Sequence, residues 1–236
     1  MAYLGIHTAT SQTSITLLKD GQCFTETFLR RSVETDNLVL TIDALCQRGG
    51  MDFRHVSGIA VTTGPGHYLG IRVGVTTVAM LREALQTPVF GVSTLAALLP
   101  TSGEGIYLSL LPARKGTWHA CLFRVVWQPP TGLEISESSA MLGLGWGYTA
   151  LTNPFLMAAS ALEKTLARFH GPVTVCGEIP LTGFDHEDFL LEQNKVLVKY
   201  VPTQVDTSRL ARLAKARVEA GDSEAVLVPY YGYDAV

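Results

Sequence analysis

Through the first hundred residues, short apolar runs alternate with turn residues and with segments of helical period. Residues 3–7 form one strand-length run. A second at 14–18 and a third at 22–29, the latter carrying Phe24 and Phe28, flank Asp20-Gly21, a dipeptide suited to a tight hairpin. These three predict an antiparallel meander. Leu38, Ile42 and Leu45 then recur at helical spacing, and Gly49-Gly50 supplies a stop. Residues 56–62 predict a further strand ending in the turn Gly64-Pro65-Gly66. A second helix follows over 70–85, with Ile71, Val75, Val78 and Leu85 on one side and Pro88 beyond its end, and a strand returns at 89–92. Two apolar runs flanking a helix predict a β-α-β unit with parallel pairing and a right-handed crossover.

The second half predicts strands at 106–111 and 118–126, joined by Ala113-Arg114-Lys115-Gly116, and a proline-bearing loop at 128–132. A helix at 158–169, a buried strand at 173–177 and a helix at 207–220 follow. No low-complexity linker divides the halves, and no strong sequence repeat relates them. A meander extended by parallel strands fits the RNase H-like half-domain used in the actin and sugar-kinase superfamily. We therefore expect an α/β protein of the actin-like ATPase (RNase H-like) fold. Two tandem subdomains with mixed sheets would occupy residues 1–100 and, in a more degenerate form, 101–236.

Composition sharpens this picture. Hydrophobic residues are 47% of the 236 and charged residues 17%, enough apolar side chain for a sizeable core. Mean hydropathy is +0.23, yet no apolar run is long enough to span a bilayer. The N-terminal residues lack a cationic start and lead straight into strand-like sequence, which predicts a cytoplasmic protein. Four scattered cysteines without a Cys-x-x-Cys pair predict reduced thiols. A net charge of −3 argues against strong tRNA binding by the chain alone. Arg209, Arg212, Lys215 and Arg217 are the nearest approach to a basic cluster, and their spacing predicts the solvated side of an amphipathic helix.

Several motifs in order resemble one family. Residues 58–74 contain Gly64-Pro65-Gly66-His67-Tyr68-Leu69-Gly70-Ile71-Arg72-Val73-Gly74, similar to the G-P-G-S-F-T-G-L-R-[VI]-G motif of the TsaB family. Gly5-Ile6-His7-Thr8-Ala9-Thr10 resembles its I-D-T-[SA]-T opening, and Gly91-Val92-Ser93-Thr94-Leu95 its G-V-S-T-L stretch. Pro112-Ala113-Arg114-Lys115-Gly116, Gly143-Leu144-Gly145-Trp146 and Pro229-Tyr230-Tyr231 resemble D-A-R-x-G, G-x-G-W and P-x-Y-L-R. The resemblance implies a non-catalytic scaffold that pairs with the transferase TsaD through helices of the N-terminal half and recruits the ATPase TsaE. The complex would attach threonylcarbamoyl to adenosine 37 of tRNA. This copy departs from the pattern at His7, 34–36, 67–69, Pro112 and Gly232. A homodimer through the same helices is a further possibility. No cofactor, metal or membrane is implied.

Residue by residue, the vestigial phosphate-loop candidates are His7, Thr8, Gly64, Pro65 and Gly66. A glycine turn at a helix start presents free N–H groups that can hold an anion, or serves simply as a β-to-α bend. No Walker lysine follows. Arg72 stands near the positive end of its helix, so a phosphate, a partner carboxylate or an internal acid should offset it. Gly70 and Gly74 lie four apart on one helical side, and with Leu38, Ile42 and Leu45 they face either the chain's own sheet or a partner's helices. His7 argues against catalysis, since an active relative would use an acidic oxygen there for hydrated Mg²⁺. No His-x-x-x-His or His-Glu-x-x-His pair occurs. The alternative is an autonomous small-molecule kinase or ATPase of the superfamily, which would need an acidic first strand and a second phosphate loop. A peptidase would need a metal pair or nucleophile that the sequence lacks.

Overall fold

The computed structural model describes residues 1–29, 38–100, 103–114, 116–127, 146–178, 189–191, 196–222 and 227–231. The expected meander is present as β1 (Ala2–His7), β2 (Gln12–Lys19) and β3 (Gln22–Leu29). Asp20 and Gly21 take left-handed backbone, with φ of 49° and 81°, which the two-residue turn between β2 and β3 requires. Parallel strands β4 (Val56–Gly64) and β5 (Val89–Ser93) complete a sheet of order β3-β2-β1-β4-β5. Every residue of β1 is buried, because both faces of this sheet are covered. One face carries α1 (Leu38–Arg48) and α2 (Tyr68–Leu85), whose Leu38, Ile42, Leu45, Val78 and Leu81 pack on Leu4, Ile6, Ile15 and Leu17.

The second sheet repeats this path without repeating the sequence. β6 (Gly105–Pro112), β7 (Thr117–Trp127) and β8 (Trp146–Ala150) form an antiparallel meander, and β10 (Val173–Gly177) and β12 (Val196–Pro202) add on in parallel beside β6. β9 (Phe155–Ala158) pairs with β7, and β11 (Phe189–Leu191) edges β12. The helix expected at 158–169 is corrected here: only α4 (Leu162–Leu166) is helical, after a 3₁₀ turn at Ala159–Ala161. Pairing with β7 draws the preceding residues into the sheet, where Met157 is buried opposite Trp118. The loop expected at 128–132, the glycines of 143–145 and the acidic stretch 185–188 lie outside the described residues.

Between the sheets lie α3 (Thr94–Ala97) and α5 (Thr207–Glu219). The core there joins Tyr3, Leu18 and Ala60 of the first sheet to Tyr107, Phe123 and Cys176 of the second. Although α5 belongs to the second half of the chain, it packs on β1, β2 and β4. Glycine permits the contact: a Cβ on Gly5 would overlap the Thr207 carbonyl and the Ala211 nitrogen, and one on Gly58 would meet Val218. Asp206 caps α5 by accepting from the Ser208 N–H at 2.9 Å. Thr207 adds side-chain hydrogen bonds to Ser14 and Thr16 at 2.9 and 2.7 Å.

The four basic residues of α5 do not share one solvated side. Arg212 and Lys215 are exposed, but Arg209 turns inward to donate to the Leu99 carbonyl at 2.6 Å. Arg217 lies over the Phe90 ring and pairs with Asp222. A helix wedged between two sheets has little free side left, and long guanidinium stems can reach backbone acceptors from within it.

Candidate functional site

The structure brings the five phosphate-loop candidates together at the carboxyl ends of β1 and β4. His7 is buried, with Nδ1 2.9 Å from Thr62 Oγ1 and Nε2 2.9 Å from Thr10 Oγ1. Burial pushes its pKa down to about 3, so the ring is neutral at physiological pH. Thr8 Oγ1 donates to the Gly70 carbonyl at 2.7 Å. Gly64 and Gly66 have positive φ, and Cβ atoms on them would overlap the Tyr230 and Ala9 carbonyls respectively. Pro65 is buried between them.

Backbone from elsewhere in the chain closes this end of the sheet. The His67 N–H donates to the Ala9 carbonyl at 2.6 Å, which uses a donor that an anion would otherwise need. The Tyr230 N–H donates to the Thr63 carbonyl at 2.7 Å, carrying residues 227–231 across the end of β4. Burial raises the carboxyl of Glu178, just beyond β10, above its usual range, with Thr10 acting in the opposite direction. Among the described residues no group of three His, Cys, Asp or Glu converges on a metal-sized space. Nor is any helix there long and apolar enough to cross a membrane.

Most of the expected partner contacts belong to the interior instead. Leu38, Ile42 and Leu45 are at most 3% exposed and form the core under α1. Gly70 and Gly74 are buried as well, and Thr8 Oγ1 occupies the space a Gly74 side chain would need. All five are therefore corrected: their apolar or small character serves the chain's own packing. Of the six, only Arg72 is exposed.

The outward sides of the same two helices are what the periodicity overlooked. Val39 and Leu40 on α1, and Leu69 and Met80 on α2, are exposed by 46%, 66%, 54% and 67%. Leu69, Thr76 and Met80 recur seven and four apart, so they share one stripe of α2. Two apolar residues adjacent in sequence, such as Val39-Leu40 beside buried Leu38, signalled more apolar surface than one inward stripe can use. At the start of α2, Arg72 lies 5.5 Å over the Tyr68 ring, and Tyr68 in turn packs on Tyr231 at 4.8 Å between centroids.

Residues 34–124 match the family profile described as TsaD: tRNA N6-adenosine threonylcarbamoyltransferase. The tRNA threonylcarbamoyladenosine biosynthesis protein TsaB of Escherichia coli (strain K12) is 25% identical over 167 residues, 62% of this chain and 72% of that protein. TsaB of Bacillus subtilis (strain 168) is 28% identical over 128 residues, 52% of this chain and 56% of its own. Among solved structures, YeaZ from Pseudomonas aeruginosa aligns over 98% of this chain and 99% of its own, with a TM-score of 0.67 and 20% identity.

Proposed function

Since the chain belongs to the TsaB family, we propose that it serves tRNA threonylcarbamoyladenosine biosynthesis as a non-catalytic subunit. On this reading the outer side of α1 and α2 docks TsaD and activates it for threonylcarbamoylation of adenosine 37, and the pair then recruits TsaE. The observation that carries the reading is the exposed apolar side chains Val39 and Leu40 on α1 and Leu69 and Met80 on α2, two helices that pack into one core on the same sheet. Taking such a side chain from full exposure to full burial is worth about 1.5–3 kcal/mol, and these four retain roughly half to two-thirds of their exposure, so docking would bury apolar surface that folding leaves in water. The closed end of the first sheet supports the non-catalytic part. Where a superfamily kinase presents an acidic oxygen, this chain holds a neutral imidazole satisfied by two threonines.

The test is a pull-down with the cognate TsaD together with tRNA modification by the mixture. Leu40→Asp and Met80→Asp should abolish capture and activation while leaving the melting temperature within a few degrees, because both positions are exposed. Capture and activation at wild-type levels by both variants would move docking to another surface. Threonylcarbamoyl transfer, or brisk ATP hydrolysis, by the purified chain alone would overturn the scaffold reading.

A further inference from the structure

The start of α2 differs from the rest of the exposed stripe in charge and in construction. Arg72 is exposed and stands in the second turn of α2, one turn in from Tyr68 at the helix start. Among the described residues no carboxylate pairs with it, and its guanidinium meets Tyr68 through the ring at 5.5 Å and the hydroxyl at 3.3 Å. Tyr68 is itself held from behind. Tyr231 packs against it with the rings tilted by 46°, and the neighbouring Tyr230 backbone is pinned to Thr63. Tyr231 thus supports an aromatic shelf that presents a cation, without a carboxylate partner among the described residues, at the edge of the exposed apolar surface.

We infer that this corner, with Arg72 as its charge and Tyr68 and Tyr231 as its shelf, receives a carboxylate side chain of the docked protein. The inference rests on the docking role proposed above and names the chemistry of one contact within it. An acidic group here would be attracted by Arg72, whereas a basic group would be repelled by it. A protein carboxylate fits better than a nucleic-acid phosphate. The chain's net charge is −3, and phosphate tracking draws on clustered lysines and arginines. Charge at such a site sets orientation and salt dependence, and the apolar stripe supplies the bulk of the affinity. Tyr231 acts as a positioning residue, since it packs on Tyr68, whose ring in turn lies under the guanidinium.

Calorimetric titration of the purified chain with its cognate TsaD at about 50 mM and about 0.5 M salt tests this. Arg72→Gln should weaken binding roughly three- to ten-fold at low salt and flatten the salt dependence, with little change at high salt. Arg72→Glu should weaken it further. Tyr231→Ala should reproduce part of the flattening, and Tyr231→Phe should restore it. If Arg72→Gln keeps both wild-type affinity and wild-type salt slope while Leu40→Asp abolishes binding, the corner is overturned and the docking face stands. If wild-type chain does not bind TsaD at either salt, the docking face fails and takes this contact with it. If Arg72→Gln instead lowers tRNA binding by the chain alone, the ligand is a phosphate and the inference is wrong.

Discussion

At the scale of single residues, His7 makes stability depend on pH. Its imidazole is neutral and fully hydrogen-bonded in the folded chain, with a pKa of about 3, but titrates near 6.5 when unfolded. Between those two values the unfolded state binds the extra proton, so stability falls as pH falls. It is lost at about 1.4 kcal/mol per pH unit from pH 6.5 downward, and nothing is lost above that. His7→Asn can keep the threonine contacts without titrating. Urea denaturation at pH 7 and pH 4.5 should therefore show a clearly smaller drop in the variant than in the wild-type chain; equal drops would contradict the buried neutral ring. Some drop should persist, because His119 is also buried and its pKa is likewise lowered.

At the scale of elements, the decisive contact is α5 against β1. Gly5→Ala would drive a methyl group into the backbone of α5, and overpacking of this kind costs about 1–3 kcal/mol or more. Gly171→Ala meets open space and should be nearly neutral, so thermal melts of the two variants separate packing from composition. The first sheet and its helices were legible in the sequence because their signals are local. Asp20-Gly21 turns, Leu38, Ile42 and Leu45 mark the buried side, and Gln86 ends α2 in left-handed backbone two residues before Pro88. What the chain does between its halves was not legible. Nothing near Thr207–Glu219 announces that its partner is a glycine some two hundred residues earlier, and an edge strand such as Phe155–Ala158 has too few residues to show a period. The candidate site divided the same way. Residues 7, 8 and 64–66 were found as a cluster, but helical spacing picks out the side that is most regularly apolar. That side is the interior, so Leu40 and Met80 went unremarked.

At the scale of the whole molecule, the interlock implies one cooperative unit. All three tryptophans fall at positions 118, 127 and 146, in β7 and β8 of the second sheet. Gly5→Ala, a change in the first sheet, should lower the unfolding midpoint seen by tryptophan fluorescence as much as that seen by far-ultraviolet circular dichroism. A fluorescence midpoint that stays put while the dichroism midpoint moves would mean that the sheets melt separately. The same interlock bears on how the protein is made. During translation the entire second sheet must leave the ribosome before α5 can, a delay on the order of ten seconds. Until then Tyr3, Leu18 and Ala60 lack the cover of α5, and the nascent chain presents a half-finished, sticky sheet that a ribosome-associated chaperone is suited to shelter.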